Sequence, residues 1–185
     1  MRWDELFTDL EAQYDAAQAA ELAGEVRDRT RRETALLSLT DRLQAAPGAT
    51  LSITASGAGT VSGVLLEVGP DWLLLRETGA AELLLPLASV VGVTGLGARS
   101  AVPGAQGEVG RRLDLAWALR GLARSRVGVQ LLLVDGTVLA GTLDRVGADH
   151  ADLAEHPPGE PRRSAAVRRV RLVPLVAIGA VRSWG

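Results

Sequence analysis

The stretch VQLLLVDGTVLAGTLDRVGADHADLAE, residues 129–155, decides the fold class. Its Asp135-Gly136 pair is a hairpin signal, because glycine can adopt a positive φ in a tight turn. Apolar residues alternate on either side of that turn and are expected to face one core: Leu131, Leu133 and Val138. Gly141 interrupts the following strand pattern, where glycine marks a sharp bend or a close backbone approach. Strongly curved small barrels need such a bend.

An earlier stretch repeats this pattern. LSITASGAGTVSGVLLEVGPDWLLLRE (51–77) matches it at an offset of 78 residues, which pairs Gly63 with Gly141 and Asp71 with Asp149. Each copy closes with a similar strand pair, PLASVVGV (86–93) and PLVAIGAV (174–181), now 88 residues apart. Copy two therefore carries ten extra residues between its third and fourth strands. We predict a mainly β protein with helices, in which two tandem five-stranded barrels follow a long N-terminal helical segment.

The predicted organisation has four parts: an N-terminal helical segment (1–46), a first barrel (47–97), a linker (98–107), and a helix with a second barrel (108–185). Residues 4–46 contain no proline and are rich in helix formers. The stretch RDRTRRET (27–34) is polar on every side, so the helix either breaks near Gly24 or projects its polar middle into solvent. Pro47-Gly48 ends the helix.

Copy two resembles the Sm1 motif of the Sm/LSm/Hfq superfamily. The residues that carry the resemblance are Val134, Asp135, Gly136, Gly141 and Leu143, and PLVAI (174–178) stands in the place of the Sm2 strands. The resemblance implies an SH3-like bent barrel behind a helix, and a role in RNA binding. The Tyr-Lys-His type of uridine site has no counterpart in PLAS or PLVA, so the family's RNA-contact residues do not transfer to this chain.

Composition excludes several classes of function. The 185 residues include no cysteine, which rules out disulfides, thiolate nucleophiles and cysteine-ligated zinc. The two histidines are not spaced as metal ligands, and GAGTVSG (57–63) does not lead into a helix as a dinucleotide fingerprint does. We therefore expect a protein that is not an enzyme, with no catalytic residues, metal or cofactor. The acidic N-terminus and the absence of a long apolar run predict a cytoplasmic protein without a membrane segment.

Charge is distributed unevenly along the chain. The net charge is −4 over residues 1–46, −3 over 47–98 and +5 over 99–185. All 20 basic residues are arginine, which is typical of a GC-rich genome and is weak evidence on its own. The basic rear nevertheless concentrates arginine in the insertion HPPGEPRRSAAVRRVRL (156–172) and in the helix before it.

This concentration leads to the first functional hypothesis, a non-enzymatic RNA-binding regulator. The predicted phosphate-contacting residues are Arg162, Arg163, Arg168, Arg169 and Arg171, extended by Arg112, Arg120 and Arg124. The insertion has a second interpretation, an edge-protecting hairpin that is solvated or bound to the acidic N-terminal segment. Trp72 and His150 occupy equivalent turns and are candidates for base stacking at the barrel rim, although a core or domain-contact role is favoured.

The alternative function is a protein-interaction scaffold or oligomerisation module. In this hypothesis the N-terminal helix recruits a protein partner or a second copy, and exposed barrel edges pair strand to strand.

Overall fold

The computed structural model describes residues 3–102, 110, 112–159 and 167–183, which form two compact units, Met1–Ser38 and Leu39–Gly185. The first unit contains helix α1 (Trp3–Ala35). This helix continues through Gly24, and the side chains of its polar middle, residues 27–34, are exposed. Of the two possibilities for this segment, a break at Gly24 is therefore wrong.

The predicted helical segment over 1–46 is also wrong as one element. α1 ends at Ala35, and a separate short helix, α2 (Leu39–Gln44), belongs to the second unit. The physical reason is packing: Leu43 of α2 is 0% exposed and lies in a core formed by the strands.

In the rest of the second unit, the described residues include ten strands and the helix α3 (Leu115–Ser125). The first half of the unit contains β1 (Thr50–Ala55), β2 (Gly59–Val68), β3 (Trp72–Glu77), β4 (Glu82–Pro86) and β5 (Val90–Thr94). Helix α3 follows. The second half contains β6 (Gly128–Leu133), β7 (Val138–Val146), β8 (His150–Glu155), β9 (Arg169–Pro174) and β10 (Ile178–Ser183). A 3₁₀ turn precedes the last strand of each half, at Leu87–Ser89 and Leu175–Ala177.

The expected fold class, two tandem five-stranded barrels, is wrong because the strands form one sheet. Its order is β5-β1-β2-β3-β4-β10-β6-β7-β8-β9, and every pairing is antiparallel. β4 of the first half pairs directly with β10 of the second half, with Leu84 opposite Val181 and Glu82 opposite Ser183. We call this contact the junction.

The registers of the two halves repeat each other. Gly63 lies opposite Glu77 in the first half, as Gly141 lies opposite Glu155 in the second, an offset of 78 residues. In the last strand of each half, Val93 and Val181 occupy equivalent positions at an offset of 88. Both halves also shift register at the same place in their second strand. Equivalent residues can therefore be compared position by position.

Two hydrophobic cores lie in the sheet unit, one for each half, and the junction mixes them. The first core is built around leucines of β1 to β4, with Leu73, Leu75, Leu83 and Leu85 all at 0% exposure, and it also contains Leu132 and Ala180 from the second half. The second core contains Leu119, Leu131, Leu143 and Leu153, and it also contains Leu84 and Trp72 from the first half. Each half thus completes the core of the other.

Helix α3 is fixed at both ends by its own sequence. The Asp114 carboxylate accepts a hydrogen bond from the backbone N–H of Trp117 (2.7 Å), which is an N-cap. Arg126 ends the helix in a left-handed conformation, with φ of 56°. The apolar face between these ends is buried through Leu115, Ala116 and Leu119, so α3 lies against the second half.

Candidate nucleic-acid interface

Four arginines surround one groove between the C-terminal part of α3 and the end of β7. Arg120 and Arg124 come from the helix, Arg126 from its cap and Arg145 from β7. Asp144 is the one acidic residue among the described residues of the lining. The groove has a volume of about 440 Å³ and is open to solvent. We call it the arginine groove; with four arginines and one aspartate its formal charge is +3.

Two of these arginines also hold the local structure. Arg120 donates through Nη2 to the carbonyl oxygen of Gly147 (2.9 Å) and through Nε to that of Val146 (3.3 Å), which ties α3 to the β7–β8 turn. Arg126 forms an ion pair with Asp144, with 2.7 Å between Nη1 and Oδ1. These contacts fix both side chains and leave part of each guanidinium facing the groove.

The other two arginines are exposed. Within the described part of the chain, neither Arg124 nor Arg145 makes a hydrogen bond or an ion pair. A guanidinium presents N–H donors in a fork that matches two oxygens of a phosphate or carboxylate. The groove therefore combines two anchored arginines with two that are available to an anion.

The predicted arginines on β9 are placed differently. Arg169 and Arg171 both donate to the Glu155 carboxylate, Arg169 at 2.7 Å from Oε2 and Arg171 to Oε1. Glu155 is 13% exposed, and burial alone would raise its pKa, but the hydrogen bonds from Arg171 and Arg169 outweigh burial and lower the pKa. Glu155 thus neutralises part of the positive charge of Arg169 and Arg171, which were predicted from the sequence to contact phosphate.

The remaining predicted arginines fall into two groups. Arg112 and Arg168 are exposed, the first just before α3 and the second just before β9, where its N–H donates to the Glu155 carbonyl oxygen (2.9 Å). Arg162 and Arg163 lie outside the described residues. The structure therefore brings Arg120 and Arg124 together, and it places Arg168, Arg169 and Arg171 two strands away from β7.

The two candidate stacking residues do not have equivalent surroundings. Trp72 is 3% exposed and its Nε1 donates to the carbonyl oxygen of Leu113 (2.7 Å), so a domain-contact role describes it and base stacking does not. His150 has a side chain that is 40% exposed, with Nδ1 2.8 Å from Oδ1 of Asp149. The hydrogen bond from His150 lowers the pKa of Asp149.

The turn that carries Trp72 also holds the start of α3. Asp71 accepts a hydrogen bond from the backbone N–H of Leu115 (2.8 Å). Partial burial raises the pKa of Asp71, and the nearby Asp114 carboxylate adds to this effect. Asp71 and Trp72 together hold Leu113 and Leu115, at the start of α3, against the first half.

Sequence reasoning missed Arg126 and Arg145. The helix predicted from sequence includes Arg126 as its last residue, but Arg126 ends α3 in a left-handed conformation and pairs with Asp144 of β7. Arg145 follows a register shift in β7, so simple alternation does not give its direction. The signal that was available is the spacing of Arg120 and Arg124, four residues apart on one helix face.

The described residues contain no group of three or more histidine, aspartate or glutamate side chains arranged to hold a metal ion. No helix among them has the length and apolarity required to cross a membrane. Comparison with protein-family models and with curated proteins finds no match to this chain.

Proposed function

We propose that this chain is a non-enzymatic RNA-binding protein that holds the phosphate backbone in the arginine groove. The observation that supports the proposal is the pair of exposed arginines, Arg124 and Arg145, beside two arginines that the fold anchors. Affinity for a polyanion comes mainly from such contacts, because each neutralised phosphate releases condensed counterions. The Sm-like resemblance of residues 129–155 agrees with an RNA ligand, and it remains a prediction.

The geometry favours contact with the backbone over reading of bases. Stacking platforms interleave aromatic rings with basic residues, and none of the described residues that line the groove is aromatic. Of the two stacking candidates, Trp72 is buried and donates to Leu113, and His150 is not among the residues that line the groove. We therefore expect affinity that depends strongly on salt and little on nucleotide sequence.

The test is fluorescence anisotropy with a short labelled single-stranded RNA, measured as a function of salt. The double variant Arg124→Gln/Arg145→Gln removes two phosphate contacts. The slope of log affinity against log salt should become shallower by about 1.4, since each contact on a single strand contributes about 0.7. Both side chains are exposed, so the fold should be retained.

The matched control is Arg76→Gln/Arg99→Gln, which removes the same charge from two exposed positions outside the groove, one on β3 and one after β5. This control should keep the wild-type slope. Equal slopes for the wild type and the groove variant, or the same change in both variants, would rule out the groove as the RNA site.

A further inference from the structure

The junction shows which residues allow one half to pair with another. The two outermost strands of the sheet have equivalent residues, which can be compared with those of the junction. β4 and β9 are equivalent fourth strands, and β5 and β10 are equivalent fifth strands. At the junction a fourth strand, β4, pairs with a fifth strand, β10. The two outermost strands of the sheet are the remaining members of each pair, β9 and β5. A second copy of the chain could extend the sheet if β9 of one copy paired with β5 of the next.

The free edge of β5 differs from the paired edge of β10 at a position where two backbones must come close together. Gly179 of β10 lies so close to the first half that an added Cβ would overlap the carbonyl oxygen of Ser56. The equivalent residue of β5 is Val91, whose side chain is 72% exposed. A valine at this position would collide with the equivalent turn of an incoming copy, because the colliding atom belongs to the backbone and cannot rotate away.

The fifth-strand edge also lacks the charge that the junction uses. Arg182 of β10 donates two hydrogen bonds to the Glu77 carboxylate across the junction. Thr94 stands at the equivalent position of β5 and cannot supply such a pair. Glu155, the equivalent of Glu77, already accepts from Arg169 and Arg171 of its own half.

The free edge of β9 has less apolar surface than the paired edge of β4. At the junction, Trp72, Leu74 and Leu84 of the first half pack against the core of the second half. Their equivalents at the free end are His150, Asp152 and Leu172, and only the leucine is retained. Leu84 is 5% exposed and Leu172 is 61% exposed. Burying Asp152 in the same way would take a carboxylate out of water without a partner.

We infer that both free edges of the sheet are closed to a further copy of this chain, so that the protein works as one pair of halves and does not grow by edge pairing. Val91 and Thr94 close the β5 edge, and Asp152 and Arg171 close the β9 edge, where Arg171 replaces the fully buried Leu83. Natural sheets protect their edges with inward-pointing charges and irregular strands of this kind. The inference stands on the junction geometry and is independent of RNA binding.

The test restores the junction residues at the free edges. In the full-length chain, Val91→Gly and Thr94→Arg convert β5 toward β10, and Asp152→Leu and Arg171→Leu convert β9 toward the fourth-strand edge of the first half. Light scattering should show that this quadruple variant gains mass with concentration, by roughly twofold or more over the wild type at matched concentration. A control with the two β5 changes alone should behave as the wild type, since its β9 edge stays closed. A folded quadruple variant without gain in mass overturns the inference.

Hydrogen exchange of the wild type provides a second measurement that does not depend on any variant folding. The outward backbone amides of β5 and β9 should exchange at rates independent of protein concentration, because no strand among the described residues pairs with these two edges. Protection of these amides that increases with concentration would overturn the inference.

Discussion

Arg182 and Glu77 form a two-point ion pair across the junction, 105 residues apart in sequence, with Nε 2.8 Å from Oε2 and Nη2 3.1 Å from Oε1. Both side chains are largely shielded, at 25% and 21% exposure. A two-point arginine–carboxylate contact fixes direction as well as distance. This pair therefore contributes to the register in which β10 meets the first half.

Replacing Glu77 should destabilise the sheet more than replacing a surface carboxylate does. We expect Glu77→Gln to lower the free energy of unfolding by about 1.5 kcal/mol, because the partly buried Arg182 guanidinium loses a charged acceptor. Glu82→Gln is the control: its pair with Arg76 is longer, at 3.5 Å, and more exposed, so its loss should cost less than about 0.5 kcal/mol. Chemical denaturation measures both values, and equal losses would contradict the role given to Glu77.

The Trp72 indole should matter through one hydrogen bond. Trp72→Phe keeps most of the ring but leaves the Leu113 carbonyl oxygen without its donor, and we expect a loss of about 1 kcal/mol. Trp117→Phe changes a ring that is 43% exposed and should stay within about 0.5 kcal/mol of the wild type. Thermal and chemical denaturation of the two variants separate these expectations. An equal effect at both positions would mean that the hydrogen bond does not stabilise the chain.

Gly57 should tolerate no side chain. Its φ is +77°, and an added Cβ would overlap the carbonyl oxygen of Leu133 in the other half. Gly57→Ala should therefore cost about 3 kcal/mol, from the left-handed conformation and the backbone collision together. Gly59 has a φ of +68° with open space around it, so Gly59→Ala should cost only about 1 kcal/mol. Equal losses of unfolding free energy in both variants would mean that Gly57 does not lie against the Leu133 carbonyl oxygen.

Glu155 should make stability depend on pH in the acid range. Its pKa is lower in the folded state than the ordinary glutamate value of 4.5, so its contribution is fully present above that value. The contribution disappears as pH falls through the lower folded pKa. At neutral pH we expect Glu155→Gln to be less stable by about 1 kcal/mol, since both arginine partners are partly exposed. Denaturation midpoints of the two proteins should converge as pH falls; a constant difference would exclude the ionised carboxylate as the cause.

The local elements could be predicted from sequence because their signals are short in range. The Asp135-Gly136 turn, the bend glycines Gly63 and Gly141, and the two offsets of the repeat depend on neighbouring residues or on direct comparison of two stretches. The junction could not be read in the same way, since it pairs residues of β4 and β10 that lie 97 to 101 positions apart in sequence. A signal for it was nevertheless present. β4 contains three consecutive leucines, Leu83 to Leu85, all buried, as expected of a strand covered on both faces.

β9 carries the opposite signal. Arginine alternates with apolar residues along Arg169–Pro174, which is the pattern of an edge strand with charge on one face. The candidate site was harder to predict. Arg120 and Arg124 follow from helical spacing, but the groove forms only because the chain reverses at Arg126 and returns through Arg145 on β7.

The exchange of side chains between the two cores has a consequence for cooperativity. Leu132 and Ala180 complete the first core, while Leu84 and Trp72 complete the second. Separating the halves would expose these residues and remove part of both cores at once. Neither half then has an unfolding equilibrium of its own, and residues 39–185 should melt in one two-state transition, with the calorimetric and van't Hoff enthalpies equal. A destabilising mutation in either half would then lower the free energy of unfolding of the whole sheet unit.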